Sequence, residues 1–292
     1  MKAEKLIGLT IFGLVVIGLA VLYISPNGGK SSSSKLTTSK GEVYKEIVNP
    51  SGFVNTDGIT IKELVGKKII LVDFLTYSCI NCQRTFPYLN AWYEEYRDQG
   101  LEIVGIHTPE FAFEKDIKNV REAMKQFGIK HPIVLDNEYA TWNAYGNRYW
   151  PRKYLINING NIVYDHIGEG AYEETEMKIR ELLEERAQIF GTENIDAIAG
   201  LATAEMPEKK NFSRSPETYF GSLRNDQQAT FLFPNDAWSI THEFAQNNVA
   251  DANIVFRYNA KEVYIVADSD APIAIEVLQD GKKIGASAGE DV

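Results

Sequence analysis

Apolar and polar residues alternate along the middle of the chain in a pattern that predicts buried strands followed by amphipathic helices. Lys68–Phe74 and Leu101–His107 are short apolar runs rich in β-branched residues, which is typical of parallel strands covered on both faces. Gln83–Arg97 carries aromatic and apolar residues at intervals of three and four, which predicts a helix directly after the first of these strands.

The same alternation continues up to residue 190. Further predicted elements are helices at Phe113–Phe127, Asn137–Tyr145 and Tyr172–Phe190 and strands at Pro132–Leu135, Tyr154–Ile158 and Asn161–Asp165. Asn159-Gly160, between the last two strands, is a strong hairpin signal. The order of elements predicts an α/β domain over residues 43–190, with a mixed sheet covered by helices on both faces.

The pattern changes after residue 190. Residues 191–216 are small and polar, which predicts a linker, and residues 217–292 show short strand-like runs without helical spacing. The predicted strands are Ala229–Phe233, Trp238–Ala245, Ala252–Tyr258, Glu262–Ala267 and Ile273–Leu278. An all-β sandwich or jelly roll is the predicted architecture of this second domain.

The first 42 residues are not expected to join a globular core. Leu6–Ile24 is nineteen residues without a charge, long enough to cross a bilayer as a helix. A cleaved signal peptide is the alternative, but the run is long for one and no clear small-residue cleavage site follows it. We therefore expect a transmembrane anchor over residues 1–25 and a flexible polar linker over residues 26–42.

Length and charge narrow the function classes. A chain of 292 residues is expected to hold about two domains. Its formal net charge of −10 and the lack of a basic cluster argue against a nucleic-acid-binding surface.

Cys79 and Cys82 are the only cysteines of the chain, and they fall at the turn from the first predicted strand into the helix. At a helix N-terminus the pKa of the Cys79 thiol is expected to be lowered, whereas Cys82 is expected to be buried and protonated. Such a pair divides disulfide exchange between an attacking and a resolving thiol. A dithiol pair without further cysteines suits an oxidising compartment outside the cytoplasm, so we expect the globular part to be extracytoplasmic.

Two other interpretations of the pair are weaker. A zinc site needs two more thiolate or imidazole ligands. The four histidines are scattered without ligand spacing, at His107, His131, His166 and His242. A structural disulfide would close a very small loop, for which loop-closure stabilisation is least. We therefore expect no metal and no cofactor.

Three separated motifs carry a resemblance to a known family. They are Val72–Leu89 around the cysteines, Gly105–Phe111 (G-I-H-T-P-E-F) and Tyr149–Gly170, which begins Y-W-P-R-K-Y. In this order they resemble the TlpA/ResA-type extracytoplasmic thioredoxins and, more closely, the thioredoxin-like part of DipZ-type proteins. The resemblance implies a thioredoxin fold and a thiol-disulfide oxidoreductase with a redox-active Cys79–Cys82 disulfide.

The resemblance also implies roles for residues outside the pair. Asp73 matches the buried acid of thioredoxins, whose raised pKa would let it take the proton of Cys82. Pro87 matches a proline that kinks the helix, and Pro151 matches the cis proline that lies beside the cysteines and leaves backbone free to pair with a substrate strand. Trp150 before it is expected to offer apolar surface to the substrate, and a merely packed tryptophan is the alternative.

Other polar residues near the motifs are left with two interpretations. Glu110 follows a strand at the sheet edge where such folds place their sites, and it fits the extra acid of TlpA-type proteins; a solvated loop glutamate is the alternative. Arg84 and Arg152 are candidates to supply positive potential near the thiolate, or they are ordinary surface arginines. His107 ends a core strand and is expected to be a satisfied buried histidine.

The dipeptide between the cysteines departs from the better-known thioredoxins. It is Ile80-Asn81, where reducing thioredoxins have Gly-Pro and the strong oxidant has Pro-His. Because this substrate-facing dipeptide tunes the redox potential, the direction of electron flow stays open, and we favour reduction. A reductant then needs a separate membrane electron donor, because the multi-span domain of DipZ-type proteins is replaced here by a single predicted helix.

The second domain resembles the small β-domain of DipZ-type proteins, which is similar to carbohydrate-binding modules. The match rests on Pro216–Gly221 and Asp280–Val292. That family continues with further strands, so we expect the β-domain here to be truncated. Trp238, Phe244 and Tyr258 are candidates to stack on a sugar ring, and filling of the sandwich core is the alternative.

Three function classes follow. The first is a membrane-anchored extracytoplasmic oxidoreductase that acts on disulfides of cell-envelope proteins. The second is a thiol peroxidase of the same fold with antioxidant activity, for which Thr76 fits but Val72 stands where such enzymes usually have proline. The third is an envelope protein that binds a glycan or a protein partner and uses its thiols secondarily.

Overall fold

A seven-stranded mixed sheet forms the centre of the first domain. The structure, a computed structural model of the chain, describes residues 42–191, 215–225, 230–260 and 262–284. The strands are β1 Glu42–Val43, β2 Gly52–Val54, β3 Ile69–Leu75, β4 Leu101–His107, β5 Ile133–Leu135, β6 Arg152–Ile156 and β7 Asn161–Ile167. Their order is β1-β7-β6-β3-β4-β5-β2, in which β3, β4 and β5 run parallel and the other neighbours pair antiparallel. The predicted mixed sheet is confirmed.

Helices cover both faces of this sheet, as predicted. They are α1 Ile61–Leu64, α2 Ile80–Gln83, α3 Phe86–Tyr96, α4 Ile117–Gln126, α5 Ala140–Ala144 and α6 Tyr172–Phe190. Side chains of α3, α4 and α6 fill one apolar core against the sheet, and those of α1 and α5 belong to a second core on the opposite face.

Strand β3 is buried along its whole length and separates these two cores. Because side chains alternate between the faces of a strand, Leu71 and Leu75 lie in the α3 core while Phe74 lies in the other. Asp73 falls between the two leucines on the same face, and this is also the core that holds Cys82. The period of the strand thus places a carboxyl group inside the apolar core next to the cysteine pair.

Two long helices predicted from periodicity are each interrupted. The helix expected at Gln83–Arg97 begins only at Phe86, with Pro87 in its first turn. Proline has no N–H to donate and its ring clashes with the carbonyl four residues before it, so one continuous helix cannot run from the cysteines through this point. The second helix, expected from residue 113, is split into a 3-10 turn and α4. Asp116 caps α4 and accepts the N–H of Lys118 at 2.8 Å.

The hairpin β6–β7 has different bounds from those predicted. Its connection is the four residues 157–160 rather than Asn159-Gly160 alone. The Asn157 side chain accepts the N–H groups of Asn159 and Asn161 at 3.1 and 2.9 Å, and Gly160 adopts a positive φ of 80°. A short amide side chain competes with the ladder for backbone groups, so the strand ends two residues earlier than its apolar pattern suggests.

Strands in the C-terminal segment are shorter and less connected than predicted. They are β8 Leu232–Phe233, β9 Trp238–Ile240, β10 Ala245–Asn247, β11 Asn253–Ile254, β12 Leu278–Gln279 and β13 Lys282–Lys283. They pair as separate antiparallel ladders, β9 with β10, β8 with β11 and β12 with β13. Among the described residues these ladders do not join into a sandwich. The predicted strand Glu262–Ala267 is not a strand in the structure, because an alternating pattern does not by itself supply a neighbouring strand.

The predicted strand Trp238–Ala245 is in fact a hairpin. Thr241 stands at its turn, where the side-chain hydroxyl accepts the N–H groups of Phe244 at 2.9 Å and Glu243 at 3.2 Å. A hydroxyl that binds backbone N–H groups two and three residues ahead favours a turn over a continuous strand.

No helix in the described ranges combines the length and apolar composition needed to cross a bilayer. The predicted span Leu6–Ile24 lies outside these ranges, as do most of the two predicted linkers and residues 285–292.

Candidate active site

Cys79 and Cys82 lie where the carboxyl end of β3 turns into α2. Cys79 has extended backbone angles and immediately precedes the helix, whereas Cys82 is inside it. The Cys79 side chain is half-buried and that of Cys82 is fully buried in the α3 core. Both are free thiols in the structure. The prediction that Cys82 is the more buried of the two is therefore confirmed.

The two thiols differ in acidity because the Cys82 thiol stabilises the thiolate form of Cys79. The pKa of Cys79 is lowered, chiefly by a hydrogen bond from the Cys82 thiol, while partial burial opposes the shift and backbone N–H groups of Cys82 and Asn81 support it. Burial, followed by the same thiol contact, raises the pKa of Cys82 well above its usual range. The direction agrees with the sequence prediction, but its main source is the neighbouring thiol rather than the dipole of a helix that is only four residues long.

Asp73 is fully buried beneath the pair and faces a buried lysine. Lys153 on β6 is its cross-strand partner, and Nζ lies 3.9 Å from Asp73 Oδ1. Among the described residues, the two carboxyl oxygens of Asp73 and the Nζ of Lys153 have no hydrogen-bond partner. Burial raises the pKa of Asp73 to about 7, against the opposing charge of Lys153. The Asp73 charge in turn contributes to the raised pKa of Cys82, so the two groups are electrostatically coupled.

Trp150 lines a cleft beside Cys79, and Pro151 follows it immediately before β6. The Trp150–Pro151 peptide is cis, as the resemblance implied. The Trp150 ring is half-buried, lies 4.3 Å from the Trp142 ring between centroids, and donates Nε1–H to the Thr108 carbonyl at 3.1 Å. Trp150 is thus packed and also lines the cleft beside Cys79, and its contact with a substrate stays a prediction.

A cleft of about 230 Å³ opens beside Cys79. Asn81, Glu110, Arg148 and Trp150 line it together with Cys79, and further lining comes from the C-terminal segment. Ile80 is half-buried and is not among the lining residues. Glu110 thus lines the cleft and is largely buried, and its role in the reaction stays a prediction.

The other charged candidates do not gather at the thiol. Arg84 pairs with Glu169 at 3.7 Å and with Glu262 at 3.1 Å, and Arg152 pairs with Asp165 on the neighbouring strand. His107 is fully buried, and burial lowers its pKa to about 4, so it is neutral near pH 7. The prediction of a satisfied histidine is only partly correct, because Nε2 lies 3.5 Å from the Thr76 hydroxyl but Nδ1 has no hydrogen-bond partner among the described residues.

Glu114 is a component of the site that sequence reasoning missed. Its carboxylate is fully buried and accepts hydrogen bonds from the hydroxyls of Thr76 and Ser78 and from the backbone N–H groups of Glu110 and Phe111, the last at 2.8 Å. It therefore ties the loop that carries Cys79 to the loop that carries Glu110. The only sequence signal was its place four residues after Glu110, in a segment that the periodicity assigned to a helix face.

Lys153 and Arg148 were missed for different reasons. A lysine inside the apolar run after Pro151 was a visible anomaly, but its partner on β3 becomes evident only from the strand register. Arg148 lies in an irregular segment where no periodicity indicates direction. Within the described part of the chain, no group of three or more acidic, histidine or cysteine side chains is arranged to hold a metal ion.

Comparisons with known proteins identify two similar families and several relatives. The Redoxin family matches residues 52–183, and the family described as thioredoxin-like C-terminal domain matches residues 225–292. Protein DipZ of Mycobacterium bovis is 37% identical over 255 residues, which cover 80% of this chain and 36% of DipZ. This chain thus spans about a third of the length of the DipZ proteins it matches.

Two further relatives match over nearly their whole length. The thiol-disulfide oxidoreductase ResA of Bacillus thuringiensis is 30% identical over 186 residues, which cover 62% of this chain and 99% of ResA. A thioredoxin-like protein solved in its oxidised form is 24% identical, with a TM-score of 0.47, over 50% of this chain and 98% of that one. On the match to ResA, this chain belongs to the ResA- and DipZ-like thioredoxin family.

Proposed function

We propose that the protein is a membrane-anchored extracytoplasmic oxidoreductase that reduces disulfides of cell-envelope proteins through Cys79 and Cys82. One observation carries the proposal: a half-buried thiol of lowered pKa is hydrogen-bonded to a buried thiol of raised pKa, above a carboxyl group whose pKa is about 7. This arrangement supplies an attacking thiolate, a resolving thiol and a group that can take a proton near neutral pH.

The reaction divides into two exchanges. The Cys79 thiolate attacks one sulfur of the substrate disulfide, the substrate S–S bond breaks, and a Cys79–substrate disulfide forms while the released substrate sulfur takes up a proton. Cys82 then gives its proton to Asp73 and attacks the Cys79 sulfur, which releases the second substrate sulfur. Two electrons have passed to the substrate, and the Cys79–Cys82 pair is left as a disulfide.

Pro151 and Trp150 are proposed to hold the substrate during the first exchange. The backbone beside Pro151 adjoins the cleft, where an extended substrate segment could pair with it, and the Trp150 ring offers an apolar wall. Asn81 lines the same cleft, and Ile80 acts with it through the backbone turn that sets the spacing of the two thiols.

The direction of electron flow is tested by the reduction potential of the pair against glutathione. A value near or below about −250 mV, the range of thioredoxin, is expected for a reductase. A value of about −120 to −180 mV would instead assign an oxidase or isomerase role. Continuous reduction also requires a separate membrane dithiol donor, because each cycle leaves the pair oxidised.

The attacking role of Cys79 is tested by two matched variants. Cys79→Ser is expected to abolish disulfide reduction, whereas Cys82→Ser is expected to accumulate a covalent Cys79–substrate disulfide that migrates as a larger species on a non-reducing gel. A covalent adduct that forms in Cys79→Ser but not in Cys82→Ser would assign the attack to Cys82 and contradict the proposed role of Cys79.

Membrane attachment is proposed from the apolar run Leu6–Ile24. The full chain is expected to stay in the membrane fraction after alkaline extraction and to be cleaved by protease added outside the cell. Release by alkali, or protection of the globular part in intact cells, would contradict this.

Two alternative functions have less support. For peroxide reduction, the Thr76 hydroxyl that would face the peroxide is buried and bonded to Glu114. For glycan binding by the C-terminal segment, Phe244 and Tyr258 are exposed and Trp238 is half-buried. Turnover of hydrogen peroxide at a rate matching that of a protein disulfide would favour the first, and retention on an immobilised envelope glycan would favour the second.

A further inference from the structure

The C-terminal segment reaches the cysteine site. Three of its residues, Glu217, Tyr219 and Arg224, line the cleft beside Cys79 together with Arg148 and Trp150. Described residues of both parts belong to one compact unit of the chain. The cleft is therefore lined both by the thioredoxin-like domain and by the C-terminal segment.

Glu110 is a point at which these two parts of the chain meet. Its Oε1 accepts a hydrogen bond from the Tyr219 hydroxyl at 3.1 Å and a charged one from Arg224 Nη1. The Arg224 guanidinium also lies over the Tyr219 ring, 4.4 Å from its centroid. The Glu110 side chain is only 12% exposed, because these two residues cover it.

The segment that carries Tyr219 and Arg224 is itself held in place. Ser222 and Leu223 donate their backbone N–H groups to the carbonyls of Thr241 and His242 at 2.9 and 3.0 Å. Gly221 lies so close to the backbone of residues 242–243 that an added Cβ would fall 2.3 Å from the Glu243 carbonyl carbon. Only glycine allows this approach, so the wall is a built structure rather than a loose tail.

A second contact joins the segment to the helix side of the cysteines. Arg84, two residues after Cys82, binds Glu262 at 3.1 Å, and its guanidinium lies 5.4 Å from the Tyr264 ring centroid. The C-terminal segment thus touches the site at two places, one at Glu110 and one after the cysteine pair.

The charge of Arg224 also bears on the nucleophile. The pKa of Cys79 is lowered chiefly by Cys82, and the Glu110 carboxylate acts against that shift. A guanidinium bonded to the same carboxylate offsets its effect on the thiolate. Without Arg224, an uncompensated negative charge would stand beside the attacking sulfur.

We propose that Arg224 and Tyr219 form a specificity wall for the disulfide exchange at Cys79. This inference rests on the proposed function and names its substrate class. A cleft of about 230 Å³ admits an extended chain segment but not the surface of a compact domain. The substrate is therefore a disulfide in an unfolded or flexible polypeptide segment, and Arg224 keeps both the cleft narrow and the Cys79 thiolate stable.

The test compares Arg224→Met with Arg257→Met in the full chain. Arg257 is an exposed arginine of the same segment outside the cleft, so its variant controls for loss of one positive charge. Two substrates are used, a flexible disulfide-linked peptide and native, disulfide-bonded ribonuclease. The pH midpoint of Cys79 alkylation by iodoacetamide, measured in the reduced protein, gives a readout that does not depend on either substrate.

In Arg224→Met, the ratio of kcat/KM for the peptide to that for ribonuclease is expected to fall by about five-fold, the effect of losing one partly buried ion pair. The alkylation midpoint is expected to move to higher pH, and Arg224→Lys is expected to restore most of both properties. The control should match the parent. The proposal is overturned if Arg224→Met changes both substrates by one common factor and leaves the alkylation midpoint at that of the control.

Failure of the proposed function gives a different result. In that case the parent reduces neither the peptide nor ribonuclease, and the specificity wall has no exchange to select for. Tyr219→Phe, which keeps the ring under Arg224 and removes the hydroxyl bond to Glu110, is expected to lower the substrate ratio less than Arg224→Met. An equal or larger fall would assign the wall to the tyrosine and contradict the role given to the ion pair.

Discussion

Burial of Asp73 predicts a specific dependence of stability on pH. The pKa of Asp73 rises from 3.8 to about 7 because the carboxylate is desolvated, although the charge of Lys153 pulls it down. The native state therefore holds this proton more tightly than the unfolded state. The resulting contribution to stability is fully present below the unfolded pKa and is lost as the pH rises through the folded pKa.

The magnitude follows from the size of the shift. Each unit of pKa difference corresponds to about 1.4 kcal/mol, so ionised Asp73 costs about 4 kcal/mol above pH 8 relative to the fully protonated chain. At pH 5.5 the same calculation gives a cost of about 2 kcal/mol in the free energy of unfolding, again relative to the fully protonated chain. Between pH 5.5 and 8.5, Asp73 alone should therefore lower the free energy of unfolding by about 2 kcal/mol.

The assay is urea unfolding of Asp73→Asn and its parent across this pH range, followed by tryptophan fluorescence. Both carry Cys79→Ser and Cys82→Ser, so that no thiol titrates. Shared groups that do not interact with Asp73, such as the buried His107, cancel in the difference between the two proteins. From pH 5.5 to 8.5, the free energy of unfolding of the variant is expected to rise by about 2 kcal/mol relative to that of its parent.

Lys153→Met provides the matched control. Since the charge of Lys153 lowers the pKa of Asp73, its removal should raise that pKa and move the loss of stability to higher pH. Parallel pH curves for Asp73→Asn and its parent would refute the reasoning, because they would mean that Asp73 has the same pKa in the native and unfolded states.

Three further predictions concern the site and its core. Cys82→Ala removes the main hydrogen bond to the Cys79 thiolate, so the pH midpoint of Cys79 alkylation should rise; an unchanged midpoint would contradict this. Glu114→Ala leaves five donors without their acceptor and should cost about 2–4 kcal/mol in urea unfolding, clearly more than Thr76→Val, which removes one of them. Leu71→Ala opens a cavity under the fully buried β3 and should cost about 2–5 kcal/mol in the same assay; a cost below 1 kcal/mol would show that the core collapses around it.

Local sequence patterns predicted the structure correctly wherever it depends on residues within a single strand or helix. The strand Leu101–His107 and the helix Tyr172–Phe190 both have the bounds predicted from the sequence. Hydrophobic periodicity acts within a single element, so it is enough to locate each of them. The spacing of Cys79 and Cys82 after a buried strand likewise predicted one accessible and one buried thiol.

Side chains that bind backbone groups account for most wrong boundaries. Asp116 starts a helix late, Asn157 ends a strand early and Thr241 turns a predicted strand into a hairpin. Each of these residues offers the backbone a partner that competes with the regular ladder. Such signals were present in the sequence but are outweighed when only apolar spacing is read.

The sequence by itself determined the order of strands and helices, the place of the cysteine pair and the face of β3 on which Asp73 lies, since these depend on neighbours close in the chain. Only the tertiary structure decided which distant charges meet there. Lys153 reaches Asp73 through strand register, Glu114 joins two loops, and Arg224 covers Glu110 from more than a hundred residues away. These contacts depend on how elements pack in three dimensions, and no periodicity along the chain encodes that arrangement.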